Sequence, residues 1–151
     1  MANETEPVWK RTNETDRTRA IIIERLQLTA DLGREAKSAF VAQLGCNNLA
    51  SSISGLGDAL EAEAKSRWCR AVLKRMQQEP MLAVLQDEVA LLKVRCRAAS
   101  YLRNFSTPRQ YTRECCLDAH ISLERLFTGF YLPRLEAVMA AENIVDTPWE
   151  G

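Results

Sequence analysis

Apolar residues recur at alternating steps of three and four along two long stretches of this chain. This spacing is typical of amphipathic α-helices, because it keeps the marked positions on one face. The marked positions of the first stretch are Ile22, Leu26, Thr29, Gly33, Ala36, Phe40 and Leu44. Those of the second, which lies between Pro80 and Arg103, are Leu82, Leu85, Val89, Leu92, Cys96 and Ala99.

Gly33 lies on the apolar line of the first stretch and leaves two interpretations open. We favour one long helix that begins at about Glu14, in which Gly33 lets another helix backbone approach closely. In the alternative, the helix ends at Leu32 and Gly33 is its C-cap.

Residues 45–57, GCNNLASSISGLG, interrupt the helical pattern because they are rich in Gly, Asn and Ser. They predict a loop or a broken short helix. Asp58 and Glu61 then have the spacing of a capping box, so we expect the next helix to run from Asp58 to about Gln78.

The segment 37–57 also allows a comparison with a helix-turn-helix, whose second helix reads the major groove of DNA. Phe40, Leu44 and Gly45 suit its first helix and turn. The second helix fits poorly, because Ser51 and Ser54 occupy positions that the motif buries with apolar side chains.

The C-terminal third predicts two further helices. Thr107 and Pro108 form a start signal for the first, which places Phe130 on its buried side. Pro133 opens a short last helix with Asn143 as its C-cap. The whole pattern predicts an all-α bundle of five to six helices, with a long N-terminal helix and no sheet.

The same pattern predicts the domain organisation. Residues 1–13 form a flexible N-terminal arm, residues 14–143 a single helical domain and residues 144–151 a C-terminal tail. Apolar residues make up 46% and charged residues 26% of the chain, which is typical of one folded domain. Trp9 and Trp149 are peripheral tryptophans that we expect to dock on the domain or on a partner.

The cysteines and the N-terminal sequence indicate a cytoplasmic, reduced setting. The five cysteines include no CxxC pair, and the polar start does not resemble a signal peptide. No apolar run approaches the roughly 20 residues that a membrane span needs, so we expect no contact with a membrane.

The charged residues are segregated although the net charge is zero. Residues 64–113 carry 11 basic and 3 acidic side chains, whereas both flanking parts of the chain are acidic. Such a basic middle predicts either a nucleic-acid-binding ridge or a solvated face paired with acidic groups. The candidate nucleic-acid-binding residues are Arg67, Arg70, Lys74, Lys93, Arg95, Arg97, Arg103, Arg109 and Arg113.

One helix face carries the residue types of a catalytic or metal site. Cys116, His120 and Glu124 follow one another at intervals of four. Side chains on a single helix seldom present a nucleophile and a base in a cleft. Zinc-ligand spacing and a phosphate-binding glycine loop are both missing from the sequence. We therefore expect no enzymatic activity, no metal and no cofactor.

Residues 79–95, EPMLAVLQDEVALLKVR, combine an acidic–Pro start with a Leu-rich run and a final Arg. This segment resembles part of certain phage and prophage small-terminase-like proteins. The resemblance implies an oligomeric DNA-recognition subunit that works with a packaging motor and has no catalytic centre. The N-terminal half departs from that family, because it offers no convincing DNA-reading motif.

Together these patterns predict a non-enzymatic helical assembly protein. It self-associates or docks on another protein of a larger complex, and nucleic-acid binding through the basic middle is the alternative. The apolar positions between Pro80 and Arg103 indicate either an ordinary core helix of the bundle or a helix–helix interface between subunits. In the second case, with Leu82 as heptad position a, Glu88 and Lys93 could pair with a parallel partner helix. The predicted interface residues are Trp9, Leu82, Leu85, Val89, Leu92 and Trp149.

Overall fold

The computed structural model describes residues 13–43, 49–100 and 108–150, without the side chains of residues 43, 49–55, 98–100 and 108–113. The described residues are helical almost throughout and contain no strand, so the all-α prediction is confirmed. The elements are α1 (Glu14–Gln43), α2 (Leu49–Gln78), α3 (Met81–Ser100), α4 (Pro108–Leu126), a π-helical turn (Phe127–Tyr131) and α5 (Leu132–Glu142).

The predicted number of five to six separate helices is too high for the described residues. The helix α4, the π-helical turn and α5 follow one another without a break, so they form one of four continuous helical segments. Pro133 was expected to open a separate last helix, yet it lies inside this segment. The prediction singled out the N-terminal helix as long, but α2 is equally long, because α1 and α2 each contain 30 residues.

Gly33 lies within α1, where it allows close packing against α2. A Cβ atom at this position would overlap the Cβ of Ser66 and the carbonyl oxygen of Ala62. The same crossing is joined by a hydrogen bond of 2.8 Å, which the buried Ser66 hydroxyl donates to the carbonyl oxygen of Ala30. The prediction of a single long helix with close backbone approach at Gly33 is therefore confirmed.

The start of α2 contradicts the prediction of a loop at its N-terminal side. The helix begins at Leu49, so Asp58 is an exposed interior residue and not the N-cap. Helix propensity is a weak guide, and the Gly and Ser residues of this part are included in a long helix. The described part of the segment 37–57 therefore belongs to two 30-residue helices and contains no separate short reading helix.

The marked face of α3 forms the centre of the hydrophobic core. It packs against buried residues of α1, α2, the π-helical turn and α5. The large side chains that are shielded from solvent almost completely are Leu26, Val72, Met76, Met81, Val84, Leu85, Leu92, Leu123, Phe127 and Leu135. Their burial is the main favourable contribution to folding.

The C-terminal segment after α5 ties the end of α2 to the start of α3. Asn143 ends α5 in a left-handed conformation (φ 52°). The Asp146 carboxylate then accepts hydrogen bonds from the backbone N–H groups of Leu82 (2.9 Å) and Ala83 (3.0 Å). The N–H of Trp149 donates to the carbonyl oxygen of Met76 at 2.7 Å. Backbone groups at two helix ends thereby find partners in this segment.

A second carboxylate of the same region caps α1. Oε1 of Glu142 accepts hydrogen bonds of 2.6 Å from both the backbone N–H and the hydroxyl of Thr15. The Thr15 hydroxyl bond and the backbone bonds from Thr15 and Glu14 hold the pKa of Glu142 below its ordinary value. Nearby, Arg19 donates to the carbonyl oxygens of Thr147 and Pro148. The residues 142–149 are thus an integral part of the bundle.

We expect Asp146→Ala to lower the free energy of unfolding by about 1 kcal/mol, because it removes the acceptor for two N–H groups at the start of α3. Chemical denaturation followed by circular dichroism measures the change. Glu150→Ala, which removes an exposed carboxylate in the same segment, is the matched control. Equal stability of the two variants would contradict the capping role.

None of the described helices combines the length and the apolar character needed to cross a bilayer. Four cysteines lie in the described part of the chain, and all four carry free thiols: Cys69, Cys96, Cys115 and Cys116. Burial raises the pKa of the Cys69 thiol to about 12, so this cysteine behaves as a core side chain.

Candidate binding face on the second and third helices

The predicted basic residues of α2 share one exposed side of that helix. Arg67, Arg70 and Lys74 follow a spacing of three and four, and the intervening Cys69 and Val72 face the core. On the neighbouring α3, Arg95 is exposed next to two apolar side chains, Leu91 and Val94, which are 44% and 62% exposed. We name the set Arg67, Arg70, Lys74, Leu91, Val94 and Arg95 the basic face.

A cavity of about 470 Å³ lies in the basic face between α2, α3 and α4. Its walls bring Arg67 of α2 and Arg95 of α3 together with the Cys116 thiol and the His120 imidazole of α4. The lining residues are Ala64, Arg67, Trp68, Ala71, Glu88, Leu91, Arg95, Cys116 and His120. Its size is within the range that is usual for small-ligand pockets.

Trp68 joins the aromatic and cationic groups of this cavity. The His120 ring meets it edge to face, with the ring centroids 4.9 Å apart and an interplanar angle of 61°. The guanidinium carbon of Arg95 lies 5.3 Å from the centroid of the Trp68 ring, which is a cation–π contact. The Nε1 atom of Trp68 is buried and has no hydrogen-bond partner among the described residues. Buried indole N–H groups usually have one.

The cations of the basic face are only partly neutralised. Glu63 accepts hydrogen bonds from Arg67 (3.0 Å) and Lys37 (3.2 Å). Burial acts to raise the pKa of Glu63, but the Lys37 hydrogen bond and the charge of Arg67 outweigh it and hold the pKa below its ordinary value. Within the described part of the chain, Arg70, Lys74 and Arg95 take part in no ion pair.

The acidic wall residue Glu88 does not offset these free cations. Its carboxylate is 5% exposed and accepts a hydrogen bond of 2.8 Å from Arg75. Arg75 also donates to Glu79 (2.9 Å) and Asp87 (3.1 Å), so one arginine is shared by three carboxylates. The one acidic side chain among the lining residues of the cavity is therefore paired, whereas Arg95 forms no ion pair with a described residue.

His120 is neutral at pH 7 in this environment. Its burial and then the positive charge of Arg95 lower its pKa below the ordinary value of 6.5. Protonation of the ring would place a second cation beside Arg95 in a partly desolvated site. The cavity thus contains a neutral imidazole at the edge of Trp68.

The lowered pKa of His120 predicts a loss of stability on mild acidification. Between pH 7 and 5 the unfolded chain binds a proton at His120 more readily than the folded chain does. The free energy of unfolding therefore decreases as the pH is lowered. Denaturation at pH 7, 6 and 5 measures the slope, and His120→Gln should have a shallower slope. The carboxylates with lowered pKa values contribute only around and below pH 4.5. An unchanged slope in His120→Gln would contradict the assignment.

The other predicted basic residues do not join this face in the described structure. Lys93 and Arg97 are exposed one turn apart on another side of α3, and Arg97 has its own interaction partner. Arg109 and Arg113 lie in the first turns of α4, where side chains are outside the description. Arg103 lies outside the described residues altogether.

The predicted interface on α3 is occupied by the chain's own core. Leu85, Val89 and Leu92 are at most 6% exposed, and Leu82 packs against the same cluster, so these side chains contact the core of their own chain. Trp149 is half-buried with its ring 5.5 Å from the guanidinium carbon of Arg19. Trp9 lies outside the described residues.

Sequence reasoning missed Trp68, Leu91 and Val94 as members of a site. Leu91 and Val94 lie off the buried seam at the same i, i+3 spacing that marks a helix face, and Arg95 follows at once. The signal available in the sequence was the presence of apolar residues, Leu91 and Val94, outside the apolar seam of α3, where polar residues are expected.

The predicted line of Cys116, His120 and Glu124 is divided between two neighbourhoods. Cys116 and His120 line the cavity, whereas the Glu124 carboxylate accepts a hydrogen bond from Thr128. The pKa of Cys96 is raised mainly by burial and to a smaller extent by the negative charge of Glu124. Among the described residues, no three His, Cys, Asp or Glu side chains are grouped as metal ligands.

The basic face has the chemistry of a carboxylate- or phosphate-binding surface with an apolar component. Arginine suits bidentate contacts with such anions, and Leu91 and Val94 provide apolar contact area next to them. A scan of protein-family models and searches of curated proteins and of solved structures find no match to this chain. The function is therefore argued from this geometry.

Proposed function

We propose that this chain is a non-enzymatic helical interaction protein that docks on a larger complex through its basic face. The observation that carries the proposal is the combination of a cation and an exposed apolar side chain in the wall of one cavity, which Arg95 and Leu91 both line. Arg95 forms no ion pair among the described residues, and its guanidinium group contacts the Trp68 ring. The partner that fits is a protein segment with carboxylates and apolar side chains, such as an acidic amphipathic helix.

The apolar part of the face favours a protein partner over nucleic acid. A phosphate backbone is recognised by cations and polar groups, and it does not require exposed aliphatic side chains. Leu91 and Val94 would be covered by an amphipathic helix, whereas they would remain in contact with water on a phosphate backbone. Arg67, Arg70 and Lys74 would then meet the carboxylates of that helix.

Two acidic groups of the C-terminal part are not available to a second copy of this chain. The carboxylates of Glu142 and Asp146 are occupied as caps of α1 and α3 within the same chain. They are consequently not presented as an acidic surface that complements the basic face. Self-association through α3 is disfavoured for the separate reason that its apolar seam is buried.

Nucleic-acid binding, as in small-terminase-like proteins, is the second candidate function. The convergence of Arg67 and Arg95 from two helices on one cavity supports it, since both could contact neighbouring phosphates. In that case binding would depend steeply on salt, and Leu91 and Val94 would make no contribution.

A titration with two probes separates the two functions. We expect a fluorescent peptide that forms a Glu- and Leu-rich amphipathic helix to bind the protein, and fluorescence anisotropy measures the affinity. Arg95→Glu should weaken this binding about tenfold or more, because it places a carboxylate against the acidic peptide. Leu91→Gln should weaken peptide binding and leave any binding of duplex DNA unchanged. Arg125→Glu, which changes an exposed arginine of α4 that lines neither cavity, is the matched control.

Each outcome of the titration has a defined meaning. Peptide binding that is lost in Arg95→Glu and kept in Arg125→Glu supports the proposal. Undetectable binding of the peptide, or equal binding by Arg95→Glu, overturns it. Binding of duplex DNA alone, with loss in Arg95→Glu and none in Leu91→Gln, would support the nucleic-acid function instead.

A further inference from the structure

A second cavity, of about 410 Å³, lies between α1 and the continuous segment formed by the π-helical turn and α5. It shares no lining residue with the cavity of the basic face. Its apolar wall includes Ile21 and Phe130, which are 46% and 60% exposed. Two large apolar side chains exposed in one cleft, rather than singly on a convex surface, indicate a binding site.

The π-helical turn is the reason why Phe130 faces this groove. The N–H of Leu132 donates to the carbonyl oxygen of Phe127, five residues earlier, in place of the usual α-helical partner. The wider turn rotates the side chains relative to α-helical periodicity. Phe127 and Tyr131 are buried, while Phe130 is turned outward, which corrects the prediction that it is buried. Such turns inside α-helices are frequent at functional sites.

The cations of the groove are concentrated near its Phe130 end. Helices α1 and α5 run antiparallel, since Glu142 meets Thr15 at one end and Tyr131 meets Arg25 at the other. Arg134 lies one turn beyond Tyr131 on α5, and both Arg134 and Arg25 line the groove. Neither arginine forms an ion pair within the described residues.

The opposite end of the groove contains a compensated ion pair. Arg17 forms an ion pair of 2.9 Å with Glu14, so its charge is compensated. Between this pair and the free arginines lie Ile21, Ile22 and Val138, which line the groove from both helices. Within the described part of the chain, the groove therefore presents two cations without ion pairs near one end, an aliphatic middle part, and a compensated ion pair at the other end.

We infer that this groove binds an amphiphilic monoanion with a single aliphatic chain, such as a medium-chain carboxylate. The carboxylate accepts hydrogen bonds from Arg25 and Arg134, and the chain lies along Ile21 and Val138 with Phe130 over it. A nucleic-acid strand would find too few cations here. An uncharged chain would leave both guanidinium groups without a counter-charge.

Isothermal titration calorimetry with decanoate as the probe, kept below its micelle concentration, tests the inference. We expect one decanoate to bind per chain. Decanol should bind about tenfold more weakly, because it lacks the charge, and decyltrimethylammonium should not bind. Arg134→Glu should weaken decanoate binding at least about tenfold, whereas Arg95→Glu, in the basic face, should leave it unchanged. This control keeps the outcome independent of the proposed docking function.

A second variant separates a binding role from a structural one. Phe130→Ala should reduce the affinity for decanoate severalfold, while thermal unfolding stays close to that of the unaltered chain because the ring is largely exposed. Absence of decanoate binding overturns the inference. So do equal affinities for decanoate and decanol, unchanged binding by Arg134→Glu, or binding to phosphatidylglycerol vesicles without binding to free decanoate.

Discussion

Gly33→Ala is expected to lower the free energy of unfolding by about 2 kcal/mol, although alanine is the better helix former. The added Cβ would overlap the Cβ of Ser66 and the backbone oxygen of Ala62, so α1 and α2 would have to move apart. That movement also stretches the hydrogen bond from Ser66 to the carbonyl oxygen of Ala30. Urea denaturation followed by circular dichroism measures the loss.

Gly129→Ala is the matched control for this prediction. Gly129 is also helical, but a Cβ there would have no neighbour within 4 Å. The same substitution should therefore leave stability unchanged or increase it by up to about 1 kcal/mol. If Gly33→Ala proved as stable as Gly129→Ala, the close crossing of α1 and α2 would be refuted.

Arg75→Met is expected to lower the free energy of unfolding by about 2 kcal/mol. The substitution keeps an aliphatic side chain but leaves the buried carboxylate of Glu88 without its partner. Removing one partner of a buried ion pair costs about 3–5 kcal/mol, and the partial exposure of Arg75 reduces this. The midpoint and slope of urea denaturation at pH 7 measure the change.

A double-mutant cycle identifies the origin of this loss. Glu88→Gln in the Arg75→Met background should recover about half of the stability, because a neutral amide replaces the unpaired carboxylate. Glu79→Gln, which removes an exposed partner of the same arginine, should have little effect. If Glu88→Gln gave no recovery, the buried pair would not be the cause of the destabilisation.

The helical class and the buried side of α3 could be predicted from the sequence because both depend on local periodicity. Leu85 and Leu92 recur at helical spacing, and their burial follows from that spacing alone. The same reasoning predicted Gly33 as a point of close approach, since a glycine on the apolar face of a helix allows the backbone of another helix to pack closely there. What the periodicity could not decide was whether the seam of α3 faced its own chain or a partner.

The caps formed by Glu142 and Asp146 could not be predicted, because their partners are distant in sequence. Glu142 binds Thr15 from 127 positions away, and Asp146 binds Leu82 from 64 positions away. Local rules place capping residues next to the helix they cap, as they did incorrectly for Asp58. The outward position of Phe130 was missed for a different reason, since the π-helical turn breaks the periodicity on which the prediction depended.

These two kinds of error concern the functional proposals directly. The long-range caps occupy acidic groups that the sequence suggested for pairing with the basic middle, and this leaves the basic face available. The π-helical turn exposes an aromatic ring in a groove with two free arginines. Both candidate sites thus arise where local patterns and the folded chain disagree, as is common at functional positions.

The indole N–H resonance of Trp68 provides the most direct test of the basic face as a docking site. In a ¹⁵N-labelled protein, titration with the Glu- and Leu-rich peptide is predicted to shift this resonance, because its buried and unpartnered Nε1 lies beside Arg95 and the cavity. The Trp149 resonance should remain in place, and Arg95→Glu should abolish the shift of Trp68. An unmoved Trp68 resonance at saturating peptide, or a shift confined to Trp149, would contradict the proposal.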